Sequence, residues 1–369
     1  MKFLNQGFDH VEFVVHSIDK HELMWTRLGF ERVAEAYIPS KGAKQVVLAQ
    51  GFIRIQLTQY DGSQASHAEP GYTFLKAHGD GICALGVEVE DATAIFNAVV
   101  GRGAKPGLEP KTFKSDDGEL VIAEVYTPAD FRYRFVQRKQ KGGEWGTIAD
   151  FTVPSLFLEH LTVSRLESPS PNGLYRIDHL TNNIDMGQFE TWLKFYTEIF
   201  GFKAVRRFNI KTGRTGLLSD VVQSECGKVK VPINEATEKE SQVQEFVDRF
   251  KGAGVQHLAL QTTDIVNGLV SFKTAGFKFL KVPHAYYEVV PTRVPGVTED
   301  LSRLEELQIL LDGEGGGYLM QIFSEELVGP FFLEFIQRKG NDGFGEGNFR
   351  ALFEAIERDQ VARGVLSPE

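Results

Sequence analysis

Cysteine is nearly absent: the 369 residues carry only Cys83 and Cys226, far apart and outside any CxxC pattern. That excludes a disulfide framework and a multi-cysteine zinc site, and it suits a reducing cytoplasm. Positive charge is also in short supply. Forty Lys and Arg face 50 Asp and Glu, for a net charge of −10 and a pI near 5.5. An acidic balance argues against a nucleic-acid partner, which would need a basic face. No apolar run reaches the roughly 20 residues of a membrane span. The opening MKFLNQGFDH has one Lys and no apolar block behind it, so no secretory signal is expected. With 42% hydrophobic and 24% charged residues, the chain reads as a soluble globular protein long enough for two domains.

Glycine and phenylalanine, by contrast, are plentiful, at 37 and 29 residues. Glycines between alternating apolar segments indicate many short strands joined by tight turns. The chain also repeats itself, in three pairs of segments. DHVEFVVHSI at 9–18 matches DHLTNNIDMG at 178–187, and each leads into a helical pattern closed by Gly29 or Gly201. The segment at 82–106 matches that at 255–283, each an alternating strand, an Asp at a helix start, an amphipathic helix and a new strand. FRYRFVQRK at 131–139 matches FFLEFIQRK at 331–339. The chain is therefore a duplication, each half a pair of βα-plus-strands modules. The expected boundaries are a first domain over 1–150, a linker over 151–175 ending in PSPNG, a second domain over 176–340 and a tail over 341–369. In the tail, Asn348 is expected to cap a helix from about Phe349 to Arg363, which has no counterpart in the first half.

A duplication supplies its own control, since core residues match between copies while site residues need not. His10 corresponds to His179, Ala84 to His257 and Arg134 to Glu334. The second half thus sets His, His and Glu on three strands. Two neutral imidazoles and one carboxylate form the facial triad of non-haem Fe(II) oxygenases, which leaves the opposite face open for substrate and dioxygen. The first half lacks one ligand and carries a cation in place of another, so one metal per chain is expected, in the second half. Singly, each of these residues has a plainer reading. A strand His is more often a hydrogen-bonded core group, and a Glu among apolar residues is often an edge residue facing solvent. Yet Glu334 shares a strand face with Phe332 and Ile336, where a carboxylate is costly without a partner. His10 has no companions and reads as structural; His160 and His284 have no partner set.

RIDHLTNNI, VKVPINE, GVQHLAL, LMQIFSE, FFLEFIQRKG and GFGEGNFRALFE, in that order, resemble the bacterial-type 4-hydroxyphenylpyruvate dioxygenases. The similarity covers nearly all of the second half and the tail; the first half agrees in layout more than in motif. The resemblance implies an α+β fold of two tandem vicinal-oxygen-chelate domains, each of paired βαβββ modules around an open barrel, with a C-terminal lid helix. It implies that His179, His257 and Glu334 bind Fe(II), one per chain. It also implies that Ser219, Asn234, Gln242 and Gln256 line the substrate pocket, that Gln321 and Phe323 lie close to the iron, and that Phe332, Phe344 and Phe349 form aromatic walls. Gln256, Gln321 and Phe349 are counted among the catalytic groups. The implied reaction takes 4-hydroxyphenylpyruvate and O2 to homogentisate and CO2. The implied assembly is a homodimer or homotetramer, with the metal-free first half a candidate for subunit contacts.

The chemistry of the residues suits these roles. Neutral amides and hydroxyls hydrogen-bond a phenol without ionising or ligating the metal. Phenylalanines stack on the substrate ring and resist a strong oxidant better than other aromatics, although core packing explains most of the 29. Three alternatives remain. 4-Hydroxymandelate synthase shares the substrate and ligands but hydroxylates the benzylic carbon, and it tends to differ at the positions of Asn234 and Phe349. An extradiol catechol dioxygenase would use the same triad without an aromatic-lipped tail. A non-catalytic chelate-fold binding protein would need no three ligands from three strands.

Overall fold

Alternating apolar and polar residues produce two large sheets, one in each half of the chain. A computed structural model describes residues 3–115, 118–140, 162–163, 172–211, 215–314 and 316–349, with 361 and 364. The first half contributes β1 (Phe3–Val14), β2 (Glu31–Ile38), β3 (Ala43–Gln50), β4 (Ile53–Tyr60), β5 (Gly81–Val89), β6 (Pro106–Ser115), β7 (Gly118–Tyr126), β8 (Arg132–Gln140) and β9 (Thr162–Val163). The second contributes β10 (Leu174–Ile184), β11 (Lys203–Lys211), β12 (Gly216–Gln223), β13 (Lys230–Ala236), β14 (Gly254–Thr262), β15 (Leu310–Glu314), β16 (Gly317–Phe323) and β17 (Phe332–Lys339).

The strand orders show the duplication directly. The first sheet runs β6-β7-β8-β5-β1-β4-β3-β2-β9 and the second β11-β12-β13-β10-β14-β17-β16-β15. In each, an antiparallel pair lies at the centre (β1 with β5, β10 with β14), and each of its members pairs in parallel with the last strand of its own module. Parallel pairing needs a crossover, and the helices supply it. The helices Ala92–Gly101 and Ile265–Thr274 are capped by Asp91 and Asp264, whose carboxylates accept from the backbone N–H three residues on. Gly29 and Gly201, with φ of 86° and 71°, end the first helix of each half. These are the paired βα-plus-strands modules expected from the repeats, in the tandem chelate-fold arrangement that the resemblance implies.

The phenylalanines explain how the halves join, because one apolar core runs through both. Phe13 meets Phe331 edge-on at 5.2 Å, Phe3 meets Phe202 at 5.7 Å, and Phe131 stacks on Trp192 at 5.8 Å. Tyr133 and Tyr196 bring their hydroxyls to 3.1 Å in the same seam. Buried ring pairs each add about 0.5–1.5 kcal/mol beyond their area. Among the described residues, no helix is long and apolar enough to cross a membrane.

Of the expected linker 151–175, only 162–163 and 172–175 are described; the first pair extends the sheet as β9, and β10 already begins at Leu174. The expected tail helix falls mostly outside the described residues. Its visible start differs from the expectation. The chain is already helical over 346–349, and Gly345 O accepts from Asn348 N and Phe349 N. Asn348 is therefore inside the first turn and does not cap it. Its buried side chain instead accepts from Tyr286 and Arg293, at 2.6 and 3.0 Å.

Candidate metal centre and its cleft

The second sheet brings the three expected ligands onto adjacent strands: His179 on β10, His257 on β14 and Glu334 on β17. Register sets their faces. His179 pairs with Ala259, and Ala259 pairs with Glu334, so the three form one row across the sheet. His257 lies two residues before Ala259 and shares its face. Strands two apart in a flat sheet are about 9–10 Å from each other. Here His179 Nε2 and Glu334 Oε2 are 3.2 Å apart and His257 Nε2 is 3.4 Å from the same oxygen, so the face is concave. One ligand atom from each residue lies within 4.8 Å of the others. The small side chain of Ala259 leaves the row open between its larger neighbours.

Hydrogen bonds fix which nitrogen of each imidazole faces inward. His179 Nδ1 bonds to Asp178 Oδ1 at 2.9 Å, and His257 Nδ1 bonds to Gln256 Oε1 at 3.1 Å. Both Nε2 atoms are left to converge on Glu334. A second group orienting a ligand imidazole in this way raises its basicity and holds its ring. Asp178 is in turn gripped by Arg338, whose Nε and Nη2 reach it at 2.8 and 2.7 Å. Arg338 also donates from Nη1 to the carbonyls of Asn341 and Gly343, tying the ligand strand to the loop that follows it. The β-bulge between Ile177 and His179 allows consecutive residues to share this arrangement.

The electrostatics suit a cation. Burial would raise the pKa of Glu334, but His179 and His257 hold it below the usual carboxylate range. Burial opposes charge on His179, yet Glu334 and Asp178 outweigh it and raise its pKa. His257 is pushed down, first by burial. Glu334 Oε1 is buried with no hydrogen-bond partner. One carboxylate oxygen within 3.4 Å of two inward imidazole nitrogens, with the other oxygen unpartnered, is the donor set of a divalent first-row metal. The residues fit.

A cleft enclosing about 610 Å³, open solvent at its mouth included, leads to this cluster. Ser219, Asn234, Gln242, Gln256, Phe323, Phe332, Phe344 and Phe349 line it together with the triad. Ser219 and Asn234 face each other across β12 and β13, and Asn234 Nδ2 donates to Asn183 at 3.3 Å. The rings gather close to the imidazoles. Phe332 stacks on His257 at 4.9 Å, and Phe344 meets His179 edge-on at 5.5 Å. Gln321 is the exception: fully buried with both amide atoms unpartnered, it lies beneath Gly345 and does not line the cleft. Three participants were missed in the sequence. Thr181 bonds to His257 Nε2 at 3.0 Å, and Asp178 and Arg338 hold His179. A signal for the last two was present, since DH and QRK recur in both halves.

The loop over this cleft depends on Gly345. Its φ is +75°, and a Cβ there would lie 1.9 Å from Gln321 Oε1. Gly345→Ala is therefore expected to displace Phe344 and Phe349 and lower kcat about a hundredfold, the usual cost of a 1 Å misplacement. Gly316, at φ +92° with nothing within 4 Å of a Cβ, is the control for backbone strain alone. Gly316→Ala should keep its turnover.

Comparison with known proteins agrees with this geometry. Residues 3–151 match the family described as Hydroxyphenylpyruvate dioxygenase, HPPD, N-terminal, and residues 176–289 match the Glyoxalase/Bleomycin resistance protein/Dioxygenase superfamily. A Vibrio vulnificus protein named Hemolysin VllY is 38% identical over 98% of this chain and 96% of its own length. The 4-hydroxyphenylpyruvate dioxygenase of Legionella pneumophila is also 38% identical, with the same coverage. Among solved structures, a mutant of 4-hydroxymandelate synthase from Streptomyces coelicolor superposes with a TM-score of 0.81 at 25% identity, covering 96% of this chain and 98% of that one. With relatives this similar along nearly their whole length, and with the sheet orders and His–His–Glu cluster just described, the chain belongs to the 4-hydroxyphenylpyruvate dioxygenase family.

Proposed function

We propose that this chain converts 4-hydroxyphenylpyruvate and O2 to homogentisate and CO2 with one ferrous ion, held by His179, His257 and Glu334. The observation that carries this reading is Glu334 Oε2 set between two inward imidazole nitrogens, with Oε1 left unpartnered, at the end of a cleft walled by phenylalanine. Bound there, iron would supply the Lewis-acid and redox chemistry that dioxygen activation needs. The chain's own part is orientation and exclusion. Phe323 and Phe332 flank His257 and confine a flat ring beside the cluster. Ser219, Asn234 and Gln242 offer neutral donors and acceptors for a phenol at the far end. Phe344 and Phe349 shut out water, which keeps the reacting carbons away from side reactions.

Hydroxymandelate synthase is the nearest competing activity, and it has the weaker support: 25% identity to the mutant of that enzyme against 38% to the Legionella dioxygenase. Anaerobic loading with Fe(II), then addition of substrate and air, separates the two by product. Homogentisate is expected; 4-hydroxymandelate moves the chain to the other activity. Asn234→Ala is expected to cost turnover about 1–3 kcal/mol, the scale of a lost buried polar contact, while iron content per chain stays unchanged. Loss of iron in that variant, measured by metal analysis, would place Asn234 in support of the metal instead. A homo-oligomer joined through the first half, in a reducing cytoplasm that suits two free cysteines, completes this reading; light scattering tests the assembly.

A further inference from the structure

The row that carries the metal cluster is repeated, residue for residue, in the first half. His10 pairs with Gly86 and Gly86 with Arg134, as His179, Ala259 and Glu334 do. In the next row Glu12, Ala84 and Arg132 stand where Thr181, His257 and Phe332 stand. Glu124 opposes Arg134 as Phe323 opposes Glu334. The cleft has survived along with the register. It encloses about 1490 Å³ with its open mouth, more than the 610 Å³ of the second-half cleft.

Its chemistry is different: the metal end is now a set of fixed charges. Arg134 is fully engaged, donating to Glu124 at 2.6 Å, to Glu12 at 2.8 Å and to His10 Nε2 at 2.7 Å. Arg132 is not. It gives one bond to Glu124 at 2.7 Å, and its Nη2 meets only the Cys83 sulfur at 3.9 Å. Its Nε–H has no partner among the described residues, although the side chain is only 8% exposed. Tyr60 lines the same cleft, its hydroxyl lies beside Gly71 with no acceptor among the described residues, and burial pushes its pKa up, so it stays a donor. The lining holds four cations (Lys41, Lys111, Arg132, Arg134) against three carboxylates (Glu12, Glu69, Glu124), an excess of one positive charge. Leu108, Phe113 and Ile122 supply an apolar wall beside these donors.

We propose that the first-half cleft is a second binding site, without catalysis, for a small organic acid. Its carboxylate bonds to Arg132 and Tyr60, and its apolar body rests on Leu108, Phe113 and Ile122. One excess charge matches a monocarboxylate, and an apolar wall gives inorganic phosphate nothing to bury.

The test is crystallography and calorimetry on the full chain, with 4-bromophenylacetate as the probe. Anomalous scattering from bromine is expected in the first-half cleft, whether or not a second peak occurs near His179. Arg132→Gln should weaken that binding at least about tenfold, the scale of one lost charged hydrogen bond, and leave iron content and homogentisate formation unchanged. Tyr60→Phe removes a single hydroxyl and guards against misfolding of the first variant; it should weaken the same binding several-fold. Bromine in the second half alone would overturn the proposal, as would binding that neither substitution changes. Displacement of the probe by equimolar inorganic phosphate would also overturn it, since the site would then recognise charge without the apolar body.

Discussion

Glu334→Ala is expected to abolish homogentisate formation and to leave the purified chain with little or no iron after anaerobic loading. The reason lies in the donor set. Glu334 is the only carboxylate in the cluster, and it supplies both the anionic ligand and the charge that balances a divalent cation. Two imidazoles alone make a weak site for Fe(II). The buried ring of His179 would also lose the partner that raises its pKa. Glu334→Gln keeps the shape and removes the charge, so it should share the defect in metal binding without the cavity. Metal analysis and oxygen uptake read both effects. Full iron occupancy with normal turnover in either variant would remove Glu334 from the site.

The second large effect belongs to stability, and it is expected in the first half. Arg134→Met should destabilise the fold by about 3–5 kcal/mol, the usual cost of stranding a buried charge. Arg134 holds Glu12 and Glu124 together, and all three side chains are nearly inaccessible to solvent. Urea unfolding followed by tryptophan fluorescence would measure the loss, with Trp25 as the fully buried reporter in that half. The same cluster predicts a pH dependence. Burial would raise the pKa of Glu12, but Arg134 and Arg132 outweigh it and hold the carboxyl at about 2, below its ordinary 4.5. A depressed carboxyl contributes stability above its unfolded pKa and loses it as pH falls through the folded value. The first half should therefore lose stability between about pH 4.5 and pH 2, and Glu12→Gln should flatten that slope.

The metal cluster was legible because the chain carries two copies of one plan. Ala84 and Arg134 in the first copy marked His257 and Glu334 as site residues beside His179, each on its own strand, while the register that puts all three on one face is visible only in the fold. Asp9 and Arg138 recur as Asp178 and Arg338, and in both halves the pair grips the histidine beside it. Recurrence in both copies suits core residues as well as a shared support, so it does not by itself reveal a group that holds the ligand. The role of His10 depends on distances that no spacing reveals: its Nε2 accepts a hydrogen bond from Arg134 Nη1, so a guanidinium stands where the second half has Glu334. Asn348 looked like a helix cap because Asn favours that position, but Tyr286 and Arg293, some sixty residues earlier, compete for its side chain. Gln321 sat in a strand whose neighbours face the cleft, and only Gly345 packing above it explains why it does not reach the surface.

The most direct measurement is anomalous scattering at the iron edge from crystals loaded with Fe(II) under anaerobic conditions. One peak per chain is expected, within bonding distance of His179 Nε2, His257 Nε2 and a Glu334 oxygen, with none beside His10 and Arg134. A peak in the first half, or no peak among the three residues in a chain that still forms homogentisate, would contradict the assignment of the metal.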